Sequence, residues 1–422
     1  MPKEEIGISH VHYRIVVFDV EGVLVPRIIF YFKIAWKVGY KALLYVGFIA
    51  ALYQLGLIRS EKALKKIFKA LKGTSMELLK EKFLELPLTP GTERTLRTLK
   101  RIGIKVALLS SGIPALLVRD LARRLGADYA LGPKVEVRDG VLTGNISGKV
   151  ISARGKAETL RRLLVENGIP GAECAFIADD KNNIPALKIC GLKIGFNPDF
   201  RVSLNVNFIV SDSLDYIVPL ITGDLREKKR KGVAKNLISR EIVHLSGILA
   251  PFISIYLVDK RLLVFILTVV STAYLYSESS RILKGLPLPV FGRVTALCTS
   301  RAEVQGFVSA PLFYACGIIA PLILFPEPAS FVSIAVLTLG DSSASIVGST
   351  IGKINLPFNR KKSLEGTLAG FFMAFLGSSL FVSFDKAAVA ALAGTALEAL
   401  PTPLDDNLTV PLFSGLILTL LP

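Results

Sequence analysis

Residues 14–24 read RIVVFDVEGVL, and this stretch decides the fold of the first half of the chain. Its apolar, β-branched start, 14–18, predicts a short buried strand that ends at Asp19. Similar strands are predicted at 104–109, 174–178 and 192–196, with helices between them at 92–102, 114–126 and 155–167. This alternation predicts an α/β fold, a doubly wound parallel sheet with helices on both faces.

Polar residues follow three of the predicted strands directly. They are Asp19, Ser110 and Asp179, and each comes where its strand ends. Ligands of open parallel sheets bind beyond the carboxyl ends of the strands, so these three residues are expected to meet in one crevice. A chance placement of all three as loop caps is a poorer explanation than a shared site.

Four short motifs in this half resemble those of the haloacid dehalogenase-like phosphatases, especially the phosphoserine-phosphatase branch. They are DVEGVL at 19–24, SSG at 110–112, GKAETLRRLL at 155–164 and ADDKNN at 178–183. The resemblance covers roughly residues 12–200. It implies that Asp19 is the nucleophile and Glu21 the general acid and base. It also implies that Ser110 holds the phosphate and that Lys156 neutralises the developing charge.

The same resemblance implies a magnesium ion, held by Asp19, Asp179 and the backbone carbonyl of Glu21. Two departures from the family pattern bear on it: Glu21 stands where an aspartate is usual, and Asn183 replaces the last carboxylate of the fourth motif. Loss of a charge near a metal weakens binding or activity. Two interpretations therefore stay open, an active phosphatase and a degenerate regulatory domain.

The insertion at about residues 27–88 is where this family carries a helical cap. Here it contains an uncharged apolar run, 42–58, near the lower length limit of a membrane helix. A single crossing would place the two parts of the catalytic sheet on opposite sides of a membrane, so it is excluded. The run is expected to lie on the bilayer or line a lipid-sized cleft, or to be a buried core helix of the cap.

The second half of the chain is predicted to be a membrane domain. The organisation is a phosphatase-like domain at 1–222, a basic linker at 223–239 and a transmembrane domain at 240–422. The linker holds much of the formal net charge of +17: Arg226, Lys228, Lys229, Arg230, Lys231 and Lys235. Such a cluster is drawn to anionic headgroups, so the first domain is expected to be cytoplasmic and the protein a multi-pass protein of the cell membrane. No nucleic-acid partner is expected.

About seven apolar runs predict a polytopic α-helical bundle. They are 242–258, 262–277, 304–325, 330–349, 366–383, 386–400 and 408–421. Charged residues near spans are costly and usually functional, and here they fall at one end of the predicted bundle. Lysines with a serine and threonine at a helix start can bind phosphates, and nearby carboxylates can hold magnesium. The predicted nucleotide- and phosphate-binding residues are Lys361, Lys362, Ser363, Glu365, Gly366, Thr367 and Arg281, and the predicted metal ligands are Asp341, Asp405 and Asp406.

These residues suit phosphoryl transfer to the hydroxyl of a membrane lipid. Asp341, Lys362 and His244 are the predicted catalytic groups. His244 or a carboxylate would orient or deprotonate the acceptor hydroxyl, although a lone histidine is more often structural.

The pattern of this half resembles the CTP-dependent polyprenol kinase family, which includes dolichol kinase, phytol kinase and a yeast-type diacylglycerol kinase. The matching segments span about 238–422: Arg240-x-x-x-His244, Glu278-x-x-Arg281, GDSSAS at 340–345, KKSLEGT at 361–367, and Glu398 with Asp406-Asn407. The resemblance implies CTP as phosphoryl donor, magnesium, and a polyprenol, another isoprenoid alcohol or a diradylglycerol as acceptor. An apolar cap beside a basic linker also suggests that the phosphatase domain acts on a related lipid phosphate.

Two other functions are weighed against a kinase. CTP:phosphatidate cytidylyltransferases share the GD-x-x-A segment, but they end in a different pattern from Pro403–Asn407. A transporter or scaffold would carry ionisable residues at mid-membrane, whereas these lie mainly at one face.

Overall fold

A computed structural model describes residues 13–54, 56–223, 235–299, 303–359, 362–402 and 404–421. These described residues form two compact units. The first contains the residues up to 223 together with 303–306, and the second contains the others. The basic linker falls almost wholly at 224–234, and its charges there lie outside the described residues.

The first unit is built on a six-stranded sheet in which every neighbouring pair of strands is parallel. The strands of this unit are β1 (Ile15–Asp19), β2 (Lys105–Leu109), β3 (Tyr129–Leu131), β4 (Lys134–Arg138), β5 (Val141–Ser147), β6 (Cys174–Ala178), β7 (Leu192–Phe196) and β8 (Phe208–Val210). The sheet order is β3-β2-β1-β6-β7-β8, and β4 pairs with β5 as a separate antiparallel hairpin. The predicted parallel sheet is confirmed, with the motif-bearing β1 near its centre.

Helices connect these strands. They are α1 (Ile29–Val38), α2 (Tyr40–Gln54), α3 (Ser60–Ala70), α4 (Met76–Leu84), α5 (Thr92–Arg101), α6 (Ala115–Leu125), α7 (Ala153–Glu166), α8 (Ile184–Leu187), α9 (Phe200–Ser203) and α10 (Ile217–Thr222). Leu160 of α7 packs in one buried cluster with Val17 of β1 and Phe176 of β6. The four helices α1–α4 lie between β1 and β2, where the sequence predicts a cap.

The second unit is helical. Its helices are α11 (Lys235–Ser246), α12 (Leu249–Tyr256), α13 (Lys260–Lys284), α14 (Pro289–Cys298), α15 (Ala310–Leu324), α16 (Ala329–Ala335), α17 (Ser342–Thr350), α18 (Leu364–Ser378), α19 (Phe384–Ala399) and α20 (Asp406–Leu420). Among the described residues, three helical stretches are long and apolar enough to cross a membrane: Ile238–Tyr256, Lys260–Lys284 and Ala329–Thr350. The remaining apolar helices are shorter, so the count of about seven crossings stays a prediction.

A π-helical segment, Val336–Asp341, joins α16 to α17 and ends on the acidic residue of the GDSSAS motif. Such segments often mark functional sites because they shift the side chains that follow. Glycines let α18 approach this segment closely. A Cβ on Gly370 would lie 3.0 Å from the Gly340 carbonyl oxygen, and one on Gly366 would lie 2.7 Å from the Ala344 carbonyl oxygen. Small residues at a four-residue spacing are typical of close helix packing in membranes.

Candidate active sites

The first candidate site lies where β1 ends. Asp19 is its last residue, and the side chain forms a buried ion pair of 2.9 Å with the ammonium of Lys156. Lys156 is only 1% exposed and stands in the first turn of α7. Ser152 begins that helix as its N-cap, accepting from the Gly155 amide, so the helix start fixes the lysine.

Burial sets the acidity of Asp19. It raises the pKa of this carboxyl to about 6, with the charges of Asp180 and Glu21 acting in the same direction and Lys156 opposing them. A nucleophilic carboxylate near neutral pH has to be ionised, and the lysine is the group that favours that state.

Glu21 is held by three donors. The hydroxyl of Ser110 donates to its carboxylate at 2.8 Å, the Gly112 amide at 3.0 Å and the Tyr31 hydroxyl at 2.8 Å. Ser110 and Gly112 are the kind of donors that bind an anion, and here the Glu21 carboxylate takes that place. A substrate phosphate would compete with Glu21 for them, so the predicted acid–base carboxyl would lie at the edge of the predicted phosphate site.

Three carboxylates lie close enough to share a metal ion: Asp19, Asp179 and Asp180, the one such group found among the described residues. One oxygen of Asp179, Oδ1, is buried without a hydrogen-bond partner in the structure. Gly22 makes room for this residue, since a Cβ there would come within 1.6 Å of its other oxygen. Hard carboxylate oxygens with one unpartnered lone pair fit Mg²⁺.

The cap reaches into this acidic group. The Arg27 guanidinium donates to Asp179 through Nε at 2.8 Å and through Nη2, and the Tyr53 hydroxyl donates to Asp180 at 2.8 Å. Burial raises the pKa of Asp179 well above its usual range, although Arg27 opposes the rise. Burial also raises the pKa of Tyr53, and the Asp180 charge adds to the effect. Arg27 thus neutralises part of the charge that a metal would compensate.

Asn183 faces the same carboxylates. Its amide Nδ2 donates to Asp19 and, at 3.2 Å, to Asp180. The residue that departs from the family pattern therefore acts as a hydrogen-bond donor between two acids, where a carboxylate would repel both of them.

The second candidate site lies in the helical unit and is centred on Lys362. Its ammonium pairs with Glu398 at 2.7 Å and with Asp406 at 3.4 Å. Asp341, at the end of the π-helical segment, interacts electrostatically with the same ammonium. These four residues come from the loop before α18, the end of α19, the start of α20 and the π-helical segment.

His244 of α11 borders this cluster. Its Nδ1 lies 3.6 Å from an Asp341 oxygen, just beyond hydrogen-bond length, and has no hydrogen-bond partner in the structure. The imidazole stacks on Tyr314 with 4.3 Å between ring centroids. One turn earlier, Arg240 and Ser345 both bond the buried Glu241 carboxylate, at 2.9 Å each. An oriented imidazole with a free ring nitrogen beside a carboxylate is suited to proton transfer.

Several residues predicted to bind phosphate or metal have structural partners. Ser363 is the N-cap of α18 and accepts from the Gly366 amide at 3.1 Å, while the Thr367 hydroxyl donates to the Ser363 carbonyl. Glu365 accepts from the backbone amides of 353 and 354. Asp405 is the N-cap of α20. Arg281 pairs with the buried Glu278 at 2.6 Å. Lys361 lies outside the described residues, and the roles of all these residues stay predictions.

Sequence reasoning missed some contributors. Asp180 lies in the ADDKNN motif next to Asp179, and its carboxylate could have identified it as a further metal ligand. No sequence signal indicated Arg27 or Tyr53. Each is more than a hundred residues away in sequence from the carboxylate that it contacts, and only the folding of the cap brings them together.

Comparisons with known proteins agree with the first site. The profile of the haloacid dehalogenase-like hydrolases matches residues 16–188. A phosphoserine phosphatase of Methanocaldococcus jannaschii is 33% identical over 141 residues, covering 33% of this chain and 66% of its own. One of Mycobacterium tuberculosis is 29% identical over 197 residues, covering 46% of each chain. A solved phospho-aspartyl intermediate analogue of phosphoserine phosphatase superposes with a TM-score of 0.46 at 27% identity, over 50% of this chain and 99% of that one. The family profile and the sequence relatives show a haloacid dehalogenase-like domain at the N-terminus that is similar to phosphoserine phosphatases.

A second kind of relative also matches. A probable chloroplastic phytol kinase of Triticum aestivum is 32% identical over 142 residues, covering 29% of this chain and 47% of its own. This match and the apolar helices of the second unit fit a fusion of the phosphatase-like domain with a lipid-kinase-like one. This chain spans about half or less of the mycobacterial and wheat relatives.

Proposed function

We propose that this chain is a membrane enzyme with two sites, a CTP-dependent lipid-alcohol kinase in the helical unit and a phosphomonoesterase in the first unit. The observation that carries the kinase is the convergence of Lys362 with three carboxylates from separate elements, Asp341, Glu398 and Asp406. Ionisable groups gathered within an apolar bundle are functional by default, because charge is costly there, and Glu398 is buried.

Each group of the kinase site has a role in this proposal. Lys362 binds the phosphates of the nucleotide, and His244 or Asp341 takes the proton of the lipid hydroxyl as its oxygen attacks the γ-phosphorus. The bond from that phosphorus to the β–γ bridging oxygen breaks, which yields lipid phosphate and CDP. Asp341 and Asp406 are suited to hold Mg²⁺, which neutralises phosphate charge when bound.

The phosphatase reaction follows from the first site. The Asp19 carboxylate attacks the phosphorus of a phosphomonoester, the ester oxygen leaves, and Glu21 gives it a proton. Water then attacks the phosphorus, returns a proton to Glu21 and releases inorganic phosphate from Asp19. Lys156 stabilises negative charge on the phosphoryl oxygens in both steps. Asp19, Asp179 and Asp180 are suited to hold Mg²⁺, which supplies further charge stabilisation when bound.

A label-transfer assay tests the kinase. The purified full chain in lipid nanodiscs receives CTP labelled at either the α- or the γ-phosphorus, with a panel of lipid alcohols and Mg²⁺. We expect the γ label alone to enter the lipid; entry of the α label would instead identify a cytidylyltransferase. Unlabelled ATP in excess should not dilute the product if CTP is the donor.

Two variants give this assay its internal control. Lys362→Ala should lower transfer by about 100-fold or more, since it removes a charge that binds the transferred phosphate. Arg261→Ala removes an exposed cation from the start of α13 and should leave transfer unchanged. Equal rates in the two variants would refute the assignment of Lys362.

A further inference from the structure

The cleft above Asp19 is polar at its floor and apolar at its walls. Its empty space, which includes open solvent at the mouth, is about 690 Å³, and Asp19, Glu21 and Lys156 line the floor. The cap supplies much of the wall, through side chains of α2 and α3: Val46, Ala50, Ala63, Leu64 and Ile67. A phosphate at the nucleophile would therefore leave the rest of its substrate among aliphatic side chains.

The described cations that line this cleft are already paired with carboxylates. They are Arg27, paired with Asp179, and Lys156, paired with Asp19. The polar groups of the cap are engaged as well: the Tyr31 hydroxyl donates to Glu21 and the Ser60 hydroxyl to Asn182. Among the described residues, the lining thus offers no spare cation for the carboxylate of an amino-acid phosphate. A charged head group would be desolvated there without a partner, which is unfavourable.

Helix α2 continues the apolar wall to the surface. Val46 is fully buried and Ala50 lines the cleft, while Leu44 and Tyr40 are each 69% exposed and Phe48 is 59% exposed. A helix that is apolar on all sides is buried or lies in lipid. Since this helix exposes large apolar side chains, its outer face suits the hydrocarbon edge of a bilayer and its inner face suits an apolar chain.

We propose that the phosphatase site takes the phosphomonoester of a long-chain apolar alcohol, with the phosphate at Asp19 and the chain along α2 toward the membrane. This inference rests on the proposed phosphomonoesterase activity and specifies its substrate class. The products are inorganic phosphate and a free lipid alcohol, which belongs to the class of acceptor proposed for the kinase site. The two sites would then act on one lipid pool in opposite directions.

Substrate comparison tests the proposal. Phosphate release is measured with the full chain in nanodiscs, with Mg²⁺ and no nucleotide, on geranylgeranyl phosphate, dimethylallyl phosphate and O-phosphoserine. We expect kcat/KM for the twenty-carbon substrate to exceed that for phosphoserine by about 100-fold or more, since burial of each methylene favours binding. Phosphoserine hydrolysed as fast as geranylgeranyl phosphate would overturn the substrate class and leave the phosphatase standing. No hydrolysis of any of the three would overturn the phosphatase itself.

A pair of neighbouring substitutions controls for partitioning of the long substrate into lipid. Ala50→Trp fills the cleft and should lower kcat/KM for geranylgeranyl phosphate by about 10-fold or more, while dimethylallyl phosphate stays within about twofold. Ala51→Trp, on the exposed side of α2, should change neither value. Retained turnover of the short substrate shows that the variant is folded, and Ala50→Phe serves as a smaller second variant. Equal effects on both substrates, or no effect on either, would overturn the assignment of the chain to this cleft.

Discussion

Asn183 stands among the acidic residues of the proposed phosphatase site. Its amide donates to Asp19 and Asp180, so it relieves repulsion between their carboxylates. Arg27 does the same for Asp179. The site is therefore partly neutralised by its own side chains, which lowers the charge available to a metal. This arrangement fits a site that binds Mg²⁺ more weakly than one with a carboxylate at position 183.

Asn183→Asp should separate these effects. Without metal, the new carboxylate loses two hydrogen bonds and repels its neighbours, so we expect a loss of about 1–3 kcal/mol in stability. With Mg²⁺, affinity should rise by about 10-fold or more, as is common when groups around a metal change. Thermal unfolding with and without Mg²⁺ and calorimetric titration measure both. Asn205→Asp, outside the site, serves as the control; unchanged stability and affinity in Asn183→Asp would contradict this account.

Protons and Mg²⁺ compete for the same carboxylates at this site, which leads to a second prediction. The pKa of Asp19 is raised from 3.8 to about 6, mainly by burial, and that of Asp179 is also raised. Because metal ligands must be deprotonated, the Mg²⁺ dissociation constant should rise as pH falls through about 6, by about 10-fold per pH unit for each proton displaced. Titrations at pH 5.0, 6.0 and 7.5 measure it. A constant affinity down to pH 5 would show that Asp19 keeps an ordinary pKa.

The same shift affects the metal-free protein. Between pH 4 and 6 the folded state binds more protons at Asp19 than the unfolded state does, because the folded-state pKa is the higher one. The contribution of Asp19 to stability is therefore present at low pH and is lost as pH rises through about 6. Asp19→Asn removes this pH dependence. The stability of the variant relative to that of the unsubstituted protein should therefore rise between pH 5 and pH 7.5. Thermal midpoints in chelator measure the difference, and an equal difference at both pH values would contradict it.

At the scale of elements, the proposed kinase site depends on how closely α18 approaches the π-helical segment and α17. Gly370 has Ala344 Cβ and the Gly340 carbonyl oxygen within 3.0 Å of where its Cβ would lie. A side chain there has to push the helices apart. Since Lys362 lies just before α18 and Asp341 at the end of the π-helical segment, such a shift would separate the two proposed catalytic groups.

Gly370→Leu is therefore expected to lower the thermal midpoint of the helical unit and reduce lipid phosphorylation by about 100-fold or more, since misplacement by about 1 Å has effects of this size. Phosphate release by the first unit should remain within about twofold. Leu368→Ala, which shortens a half-exposed side chain on the same helix, is the matched control. Kinase activity at the unsubstituted level in Gly370→Leu would contradict the role given to this packing.

The elements also show what a sequence can and cannot predict here. Strands β1, β2, β6 and β7 are apolar runs because the sheet buries them, so the sequence pattern predicted them. The β4–β5 hairpin was missed, since KVEVR alternates charged and apolar residues on a partly exposed ribbon. The apolar run 330–349 was predicted as one span, and the helical stretch Ala329–Thr350 is long and apolar enough to be one; the π-helical segment within it was not predicted. Composition indicates which segments are buried, but it does not indicate the hydrogen-bonding pattern of their backbone.

The candidate sites follow the same rule. Residues at strand ends and in motifs were predictable because sheet topology alone brings them together. The ion pairs of Lys362 with Glu398 and Asp406 depend on the packing of three separate elements, which spacing does not determine. Arg27 depends likewise on the fold of the cap.

At the scale of the whole molecule, the two proposed reactions oppose each other. The kinase consumes a lipid alcohol and a nucleotide, and the phosphatase returns the alcohol. With CTP present, lipid phosphate made at one site becomes substrate at the other, so its level should reach a plateau set by the two rates. The plateau is a property of the intact chain, because either site alone would drive its reaction in one direction.

Single substitutions in the two sites should therefore have opposite effects on that plateau. Asp19→Asn removes the nucleophile, so nucleotide-free phosphate release should fall by about 1,000-fold or more while γ-label transfer continues. Lipid phosphate should then accumulate beyond the level of the unsubstituted protein. Asp341→Asn should abolish label transfer and leave hydrolysis of added lipid phosphate intact, and Asp139→Asn, at an exposed position, should change neither activity. Time courses of labelled lipid in nanodiscs measure all four proteins. Identical plateaus for Asp19→Asn and the unsubstituted chain would show that the sites do not share a substrate. If both sites act on the same lipid phosphate, removing the hydrolytic step must raise its level.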